Sequence, residues 1–417
     1  MRVLLIHQNF PGQFRHLAPA LAAAGHEVVA CGNRGDRAFP GLRLLNAGGS
    51  VGEELRQPSA EARCQRQFAQ GRRVARQLHS LADEGWCPDV VVGHPFWGDL
   101  LFLDDVFPQV PLVALMELDL LGLPAQEQGV PRASGPGLLQ WTTLQAARRM
   151  AAGLTATRFQ RSTFPAWLRG RIAVIHEGVD LQRCRPAPVS SLQLPDGTRL
   201  HPGEPLISFA CRSLEPLRGF PTFLRSLPAL LERHPSVRVV ICGEDRSAYG
   251  PAPEGGSWLR QLQAELGDRL DPCRVHFTGL LPHAALLDLF RLSWAHVYLT
   301  APYVLSWSLL EAMACGALVV GSRTAPVQEV IEHGVEGLLV PFDQPGELAA
   351  TLLRVLAQPA AFAHLRLGAR RRIAREFDHR ACLARQIALL GAVARGIDPF
   401  SGPMLADQPA AEAEAHG

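Results

Sequence analysis

Short apolar runs alternate along this chain with longer stretches whose apolar residues recur every three or four positions, from Met1 to about Arg395. The first pattern marks buried strands and the second amphipathic helices. Their regular alternation predicts a parallel α/β architecture. In the first half, Val3–Ile6, Glu27–Cys31, Asp89–Val92, Val110–Leu115, Leu154–Thr157 and Ile172–Ile175 read as strands, with helices over Gly12–Ala24, Glu53–Leu81 and Leu138–Met150. In the second half, strands are expected at Leu206–Cys211, Val237–Cys242, Arg274–Phe277, Ala295–Leu299 and Leu318–Gly321. Helices are expected at Phe220–Arg233, Ser257–Leu266, His283–Leu292, Ser308–Cys315, Pro345–Leu356, Ala360–Glu376 and His379–Ala394.

At 417 residues the chain is too long for one core. Each half has the size of a doubly wound nucleotide-binding unit. The expected organisation is a first Rossmann-like domain over 1–182, a linker over 183–205, a second Rossmann-like domain over 206–378, a closing helix over 379–398 and a disordered tail over 399–417. The linker is inferred from a Pro-, Gly- and Ser-rich composition without apolar periodicity. The tail is inferred from its Ala/Glu/Pro bias.

Charge and composition narrow the chemistry. A net charge of +2 implies no field suited to nucleic acid. All 41 basic residues are arginines, so Schiff-base chemistry and a Walker-type lysine are excluded. The nine cysteines are scattered without a C-x-x-C pair and read as small core residues in a reducing compartment. The N-terminal apolar run is too short for a signal peptide and no run reaches bilayer-spanning length, so a cytoplasmic location is the expectation. After the first strand the chain reads His7-Gln8-Asn9-Phe10-Pro11-Gly12, with one glycine instead of the G-x-G-x-x-G fingerprint. A dinucleotide-dependent dehydrogenase is therefore disfavoured.

The candidate chemistry gathers at strand ends. The loop Ala301–Ser308 lies between a strand and a helix, where backbone N–H groups and the helix dipole suit an anion. Ser306 and Ser308 are candidate caps. Glu311 admits two readings: a carboxylate accepting ribose hydroxyls, or the N3 partner of Ser308 in a capping box. Arg212 and Arg218 follow a strand and suit a pyrophosphate, or are surface arginines with Glu215 as partner. His94, Trp97 and Asp99 resemble a sugar-binding cluster of aromatic face and polar edge, or His94 caps a loop. Gly12 permits close backbone approach, or marks a Pro-Gly turn. Glu117 and Asp119 read better as loop carboxylates than as an acid/base pair. Arg63, Arg66, Arg72, Arg73 and Arg76 read as one solvated helix face, or as a surface for an anionic acceptor or membrane.

Together these segments resemble the retaining glycosyltransferases of family 4, which have the GT-B fold: two Rossmann-like domains facing across a cleft. The resemblance rests on Leu309-Leu310-Glu311-Ala312-Met313-Ala314-Cys315-Gly316, Glu329-Val330-Ile331, Gly334-x-x-Gly337, Val174-Ile175-His176-Glu177-Gly178 and Val275-His276-Phe277-Thr278-Gly279. The opening His7–Leu17 looks like a distinct bacterial subgroup. The resemblance implies ribose binding by Glu311, a pyrophosphate contact by Arg212, a place for His94 near the transferred sugar and a diphosphate-facing loop at Gly12. Two departures stand out. Tyr303 occupies the place of the family's first glutamate, and Arg218 substitutes for a lysine one position earlier.

The implied reaction is metal-independent transfer from a nucleotide-diphosphate sugar, UDP favoured, to a hydroxyl of a glycan, lipid or small metabolite. Arg212, Arg218 and the backbone N–H groups of Ser306, Trp307, Ser308 and Leu309 would stabilise the departing diphosphate, with Tyr303 near the donor. No cofactor and no nucleic-acid partner are expected, while peripheral contact with the inner membrane is left open. A GT-B-like epimerase and a lapsed nucleotide-sugar-binding protein are the rival readings.

Overall fold

The computed structural model describes residues 1–33, 41–49, 59–123, 136–248 and 253–401. The start of the helix expected from Glu53 and most of the expected tail lie outside these residues. The described residues divide into two compact units, one holding those up to 123, 136–178 and 380–401 and the other those of 179–379.

The first unit holds a parallel sheet of β1 (Arg2–Ile6), β2 (Glu27–Gly32), β3 (Arg43–Asn46), β4 (Val90–Gly93), β5 (Leu112–Leu115), β6 (Met150–Thr155) and β7 (Ile172–Val174). Its strand order is β3-β2-β1-β4-β5-β6-β7. Strands such as Val90–Gly93 are buried throughout, because helices cover both faces of the sheet. Leu4, Ile6, Val91 and Leu112 face one core cluster, and Val3, Leu5, Val90 and Val113 face the other. The C-terminal helix His379–Ala394 lays Leu383, Leu389, Leu390 and Val393 into the second cluster.

The second unit begins earlier than expected. The segment read as a linker carries an antiparallel hairpin, β8 (Leu192–Gln193) and β9 (Arg199–Leu200). Leu192, Leu194 and Leu200 pack against Val240, Leu289 and Leu292, and Asp196 Oδ2 meets His276 Nδ1 at 2.8 Å. The Asp196-Gly197 pair is a hairpin signal that composition alone masks. The main sheet follows, with β10 (Leu206–Ser213), β11 (Arg238–Glu244), β12 (Val275–Gly279), β13 (Ala295–Tyr298), β14 (Val319–Ser322) and β15 (Leu338–Val340). Its order is β12-β11-β10-β13-β14-β15, all parallel.

Other differences have local causes. β3 and β15 were not anticipated: both are short, and β3 is an edge strand. Met150–Gly153 belongs to β6 although Ala and Gly favour strands poorly. Pairing with β5 and β7 overrides propensity there. The helix expected over Gly12–Ala24 breaks into a 3₁₀ turn, Gly12–Arg15, and an α-helix, Leu17–Ala23.

In each sheet the order reverses once, between β1 and β4 and between β10 and β13. Ligands of open α/β sheets bind beyond the carboxyl ends of strands at such switch points.

Candidate functional site

In the second unit the switch point is bounded by the ends of β10 and β13. The 3₁₀ turn Pro216–Arg218 follows β10. It brings Arg218 Nη1 to Thr300 Oγ1 at 3.3 Å and to the Val304 carbonyl at 3.1 Å. The Arg218 guanidinium carbon lies 5.7 Å from the centre of the Tyr303 ring. Thr300 is itself held, since its N–H donates to Ser322 Oγ and its carbonyl accepts from Ser322 and Thr324. The Nε and Nη2 groups of Arg218 have no hydrogen-bond acceptor among the described residues. Arg212 lies inside β10, beside a register shift, and not after the strand as the sequence suggested. It is exposed and makes no ion pair with a described residue. Glu215 is not its partner: that carboxylate is buried and accepts from Ala248 N at 2.9 Å.

The helix after β13 spans Trp307–Ala314, with Ser306 and not Ser308 as its cap. Ser306 Oγ accepts from Ser308 N at 3.4 Å. Ser306 N donates to the Tyr298 hydroxyl at 2.8 Å, and Leu309 N to the Ser306 carbonyl at 3.2 Å. Three of the N–H groups offered to a diphosphate thus already have acceptors within the chain. Burial pushes the Tyr298 phenol up, so it stays a neutral acceptor. The capping-box reading of Glu311 is not realised. Glu311 is the fifth helical residue, past the first turn, and its Oε1 meets His283 Nε2 at 3.0 Å.

Cys184 stands beside that pair. Its Sγ, a ring nitrogen of His283 and a carboxylate oxygen of Glu311 all lie within 4.8 Å of one another. The Cys315 thiol is the neighbour of Cys184. Cys315 and burial push the Cys184 thiol up, whereas Cys184, with Arg291 and Arg370 nearby, draws Cys315 down. Neither His283 nor Cys184 was singled out from sequence, because nothing local marks residues that converge from three separate segments.

In the first unit His7 and His94 sit at the ends of β1 and β4. Their rings meet edge-on, 5.4 Å between centres. Burial, and His94 beside it, hold the His7 imidazole down at about 3, against opposing effects of Glu117 and Gln13. Gly12 has φ +45°, and a Cβ there would lie 2.7 Å from the His7 ring. His94 is wholly buried, so it presents no face of its own to a sugar. Its Nε2 instead meets Glu117 Oε2 at 3.1 Å. Gln13 Nε2 donates to Glu117 Oε1 at 3.3 Å, and Gln160 Nε2 to the Glu117 carbonyl at 2.7 Å. Glu117, set aside in the sequence as a loop carboxylate, is therefore the partly exposed group that this cluster orients. The signal for it was its place just past β5.

Asp119 is structural. It caps the turn Leu120–Gly122 through Leu121 N at 3.0 Å, and its carboxyl is raised by burial despite hydrogen bonds from Gln140 and Leu121. Asp99 also leaves the proposed sugar cluster. It is buried and accepts from Gln8 N at 3.0 Å and Gln70 Nε2 at 2.8 Å, tying the loop after β1 to the helix Ala60–Asp83. Trp97 packs its ring 5.7 Å from that of His94. Of the basic run, Arg66, Arg72 and Arg76 are exposed, whereas Arg63 and Arg73 are half-buried with their Nε atoms enclosed.

Residues 24–184 match the family described as Glycosyl transferase family 4 group, and residues 204–358 match Glycosyl transferases group 1. The chain belongs to glycosyltransferase family 4. Among curated proteins, this family-4 chain is 30% identical over 212 residues to the D-inositol 3-phosphate glycosyltransferase of Thermobispora bispora, covering 49% of this chain and 47% of that one. It is 34% identical over 190 residues to the protein of the same name from Corynebacterium jeikeium, covering 43% and 42%. The chain spans about half the length of the curated relatives it matches. Among solved structures it is similar to sucrose-phosphate synthase from Thermosynechococcus elongatus, at TM-score 0.72 and 18% identity over 95% of this chain and 100% of that one. It is similar also to HepE from Anabaena in complex with UDP-glucose, at TM-score 0.68 and 16% identity over 94% and 100%. The fold is GT-B, with two Rossmann-like units.

Proposed function

We propose that this family-4 chain is a retaining, metal-independent glycosyltransferase using a nucleoside-diphosphate sugar, UDP-linked in preference to GDP-linked. The observation that carries the reading is Arg218. One edge of its guanidinium is pinned to Thr300 and Val304 at the β10/β13 switch point, and the other edge has no acceptor among the described residues. A planar cation fixed on one side is preorganised for a diphosphate on the other. Its charge then stabilises the leaving group as the glycosidic bond breaks. Arg212, exposed on β10, is the second cation for that diphosphate. Glu311 exchanges His283 for the ribose hydroxyls, and a phosphate oxygen displaces the long Ser306–Ser308 bond at the helix start.

In the first unit, Glu117, oriented by His94 and Gln13, holds the acceptor hydroxyl of a glycan, lipid or small metabolite. For retention, that hydroxyl attacks on the leaving-group face and the β-phosphate takes its proton. The UDP-glucose complex of HepE supports the choice of donor. A second reading, a lapsed nucleotide-sugar-binding protein, is favoured by Tyr303, which stands in place of the family's first glutamate and packs on Arg218.

The test is incubation with UDP-, GDP- and ADP-sugars in EDTA, reading free diphosphate and thermal shift together. Turnover with one donor is expected. Arg218→Ala should lower kcat/KM by about 10²–10³-fold, as removal of a leaving-group stabiliser does. Binding without release, even with a crude acceptor extract, supports the lapsed reading. No thermal shift with any donor overturns both.

A further inference from the structure

Cys184, His283 and Glu311 form a ligand constellation of which the proposed transfer reaction uses Glu311 alone. A thiol, an imidazole and a carboxylate lie within 4.8 Å of one another, and the His283–Glu311 pair is already at 3.0 Å. In a tetrahedral zinc site, bonds of about 2.0–2.3 Å place ligand atoms roughly 3.3–3.6 Å apart. Closing this set requires movements of about 1 Å, within the reach of side-chain torsions.

The backbone around the thiol is held. Cys184 N donates to the Asp180 carbonyl at 2.7 Å. Arg370 Nη1 donates to the Cys184 carbonyl at 2.8 Å and the Ala314 carbonyl at 3.0 Å. Arg291 donates to the carbonyls of Arg183 and Arg185, each at 2.9 Å. Arg370 thus fastens the Cys184 segment to the end of the Glu311 helix. His283 opens its own helix, and its side chain is 29% exposed, which gives the cluster a route to solvent.

We propose that Cys184, His283 and Glu311 bind a thiophilic divalent cation of the zinc class, and that this cation excludes the nucleotide donor. The donor set is too soft and too poor in oxygen for magnesium or calcium. Three protein ligands leave a fourth position for water or the neighbouring Cys315 thiol. Binding converts the Cys184 thiol to a thiolate and releases its proton, with no change of oxidation state. The exclusion rests on the reading of Glu311 as the ribose-binding carboxylate: one carboxylate cannot serve both ligands, so each weakens the other to the same extent. The site acts as an inhibitory switch and takes no part in catalysis.

The experiment is titration of the full chain, stripped with EDTA and then freed of it, with Co²⁺ alone, reading thiolate-to-cobalt charge-transfer absorption. One equivalent should bind and be displaced by Zn²⁺, which takes such sites more tightly. The band should vanish in Cys184→Ser and in His283→Gln, and survive in Cys87→Ser/Cys273→Ser, which removes two exposed thiols. His283→Gln, at a half-exposed position, guards against misfolding of the buried cysteine variant. No band, or a band that survives both ligand variants, overturns the site. UDP-glucose at saturation should weaken Co²⁺ binding at least tenfold. Nucleotide binding that leaves the Co²⁺ affinity unchanged overturns the exclusion. If no nucleotide binds at all, the titration still decides the cation site, and the donor reading is what falls.

Discussion

His296 should make the second unit sensitive to acid, by an amount that follows from its surroundings. It lies on β13, fully buried, with Nδ1 2.9 Å from Ser208 Oγ and its ring edge-on to Phe290 at 4.7 Å. Burial alone holds its imidazole down at about 3, from an ordinary value of 6.5. The folded chain therefore keeps His296 neutral, while the unfolded chain takes up a proton once the pH falls below 6.5. The stabilisation is complete above pH 6.5 and is lost progressively as the pH falls toward 3. Linkage puts the loss from this residue at about 2 kcal/mol between pH 7 and pH 5. His296→Asn retains a partner for Ser208 and removes the titrating ring, at a cost of about 2 kcal/mol in lost packing at neutral pH. Urea unfolding at pH 7 and pH 5 isolates the effect. The wild type should lose about 2 kcal/mol more than the variant on acidification, because contributions from His7 and His176 are common to both and cancel. Equal losses would refute the argument.

Three further outcomes are expected. Gly12→Ala combines a left-handed backbone with a Cβ 2.7 Å from the His7 ring, and should destabilise the first unit by about 1–3 kcal/mol in thermal denaturation. Asp99→Asn turns an amide N–H₂ toward one of the donors that Asp99 now accepts, Gln8 N or Gln70 Nε2, and should cost about 1–3 kcal/mol on the same assay. Asp196→Ala removes the 2.8 Å contact with His276, but its side chain is 45% exposed, so the loss should stay under about 1 kcal/mol.

Much of the α/β order was legible because strands covered on both faces read as continuous apolar runs. The failures were places where local signals conflict with tertiary demand. Ala151, Ala152 and Gly153 look unlike a strand, yet β6 needs them between β5 and β7. Composition marked 183–205 as a linker, but three leucines and an Asp-Gly turn make it a hairpin of the second unit. Ser308 and Glu311 have capping-box spacing. Ser306 takes the cap instead, and Glu311 turns to His283.

The sequence by itself determined the succession of elements and the choice of Gly12, His94, Arg218 and Glu311 as residues near strand ends. Periodicity and turn chemistry are short-range, set by sterics and by which face is buried. Only the tertiary structure decided what those residues touch. Strand order places β4 beside β1 and β13 beside β10, across long crossovers. The second pairing is why Arg218, after β10, lies against Thr300 and Val304, after β13, whereas Glu117 meets His94 because β5 pairs with β4, and Cys184, His283 and Glu311 converge from three separate segments of the second unit. No local pattern encodes such partners, because the distance between them is set by sheet topology and not by separation along the chain.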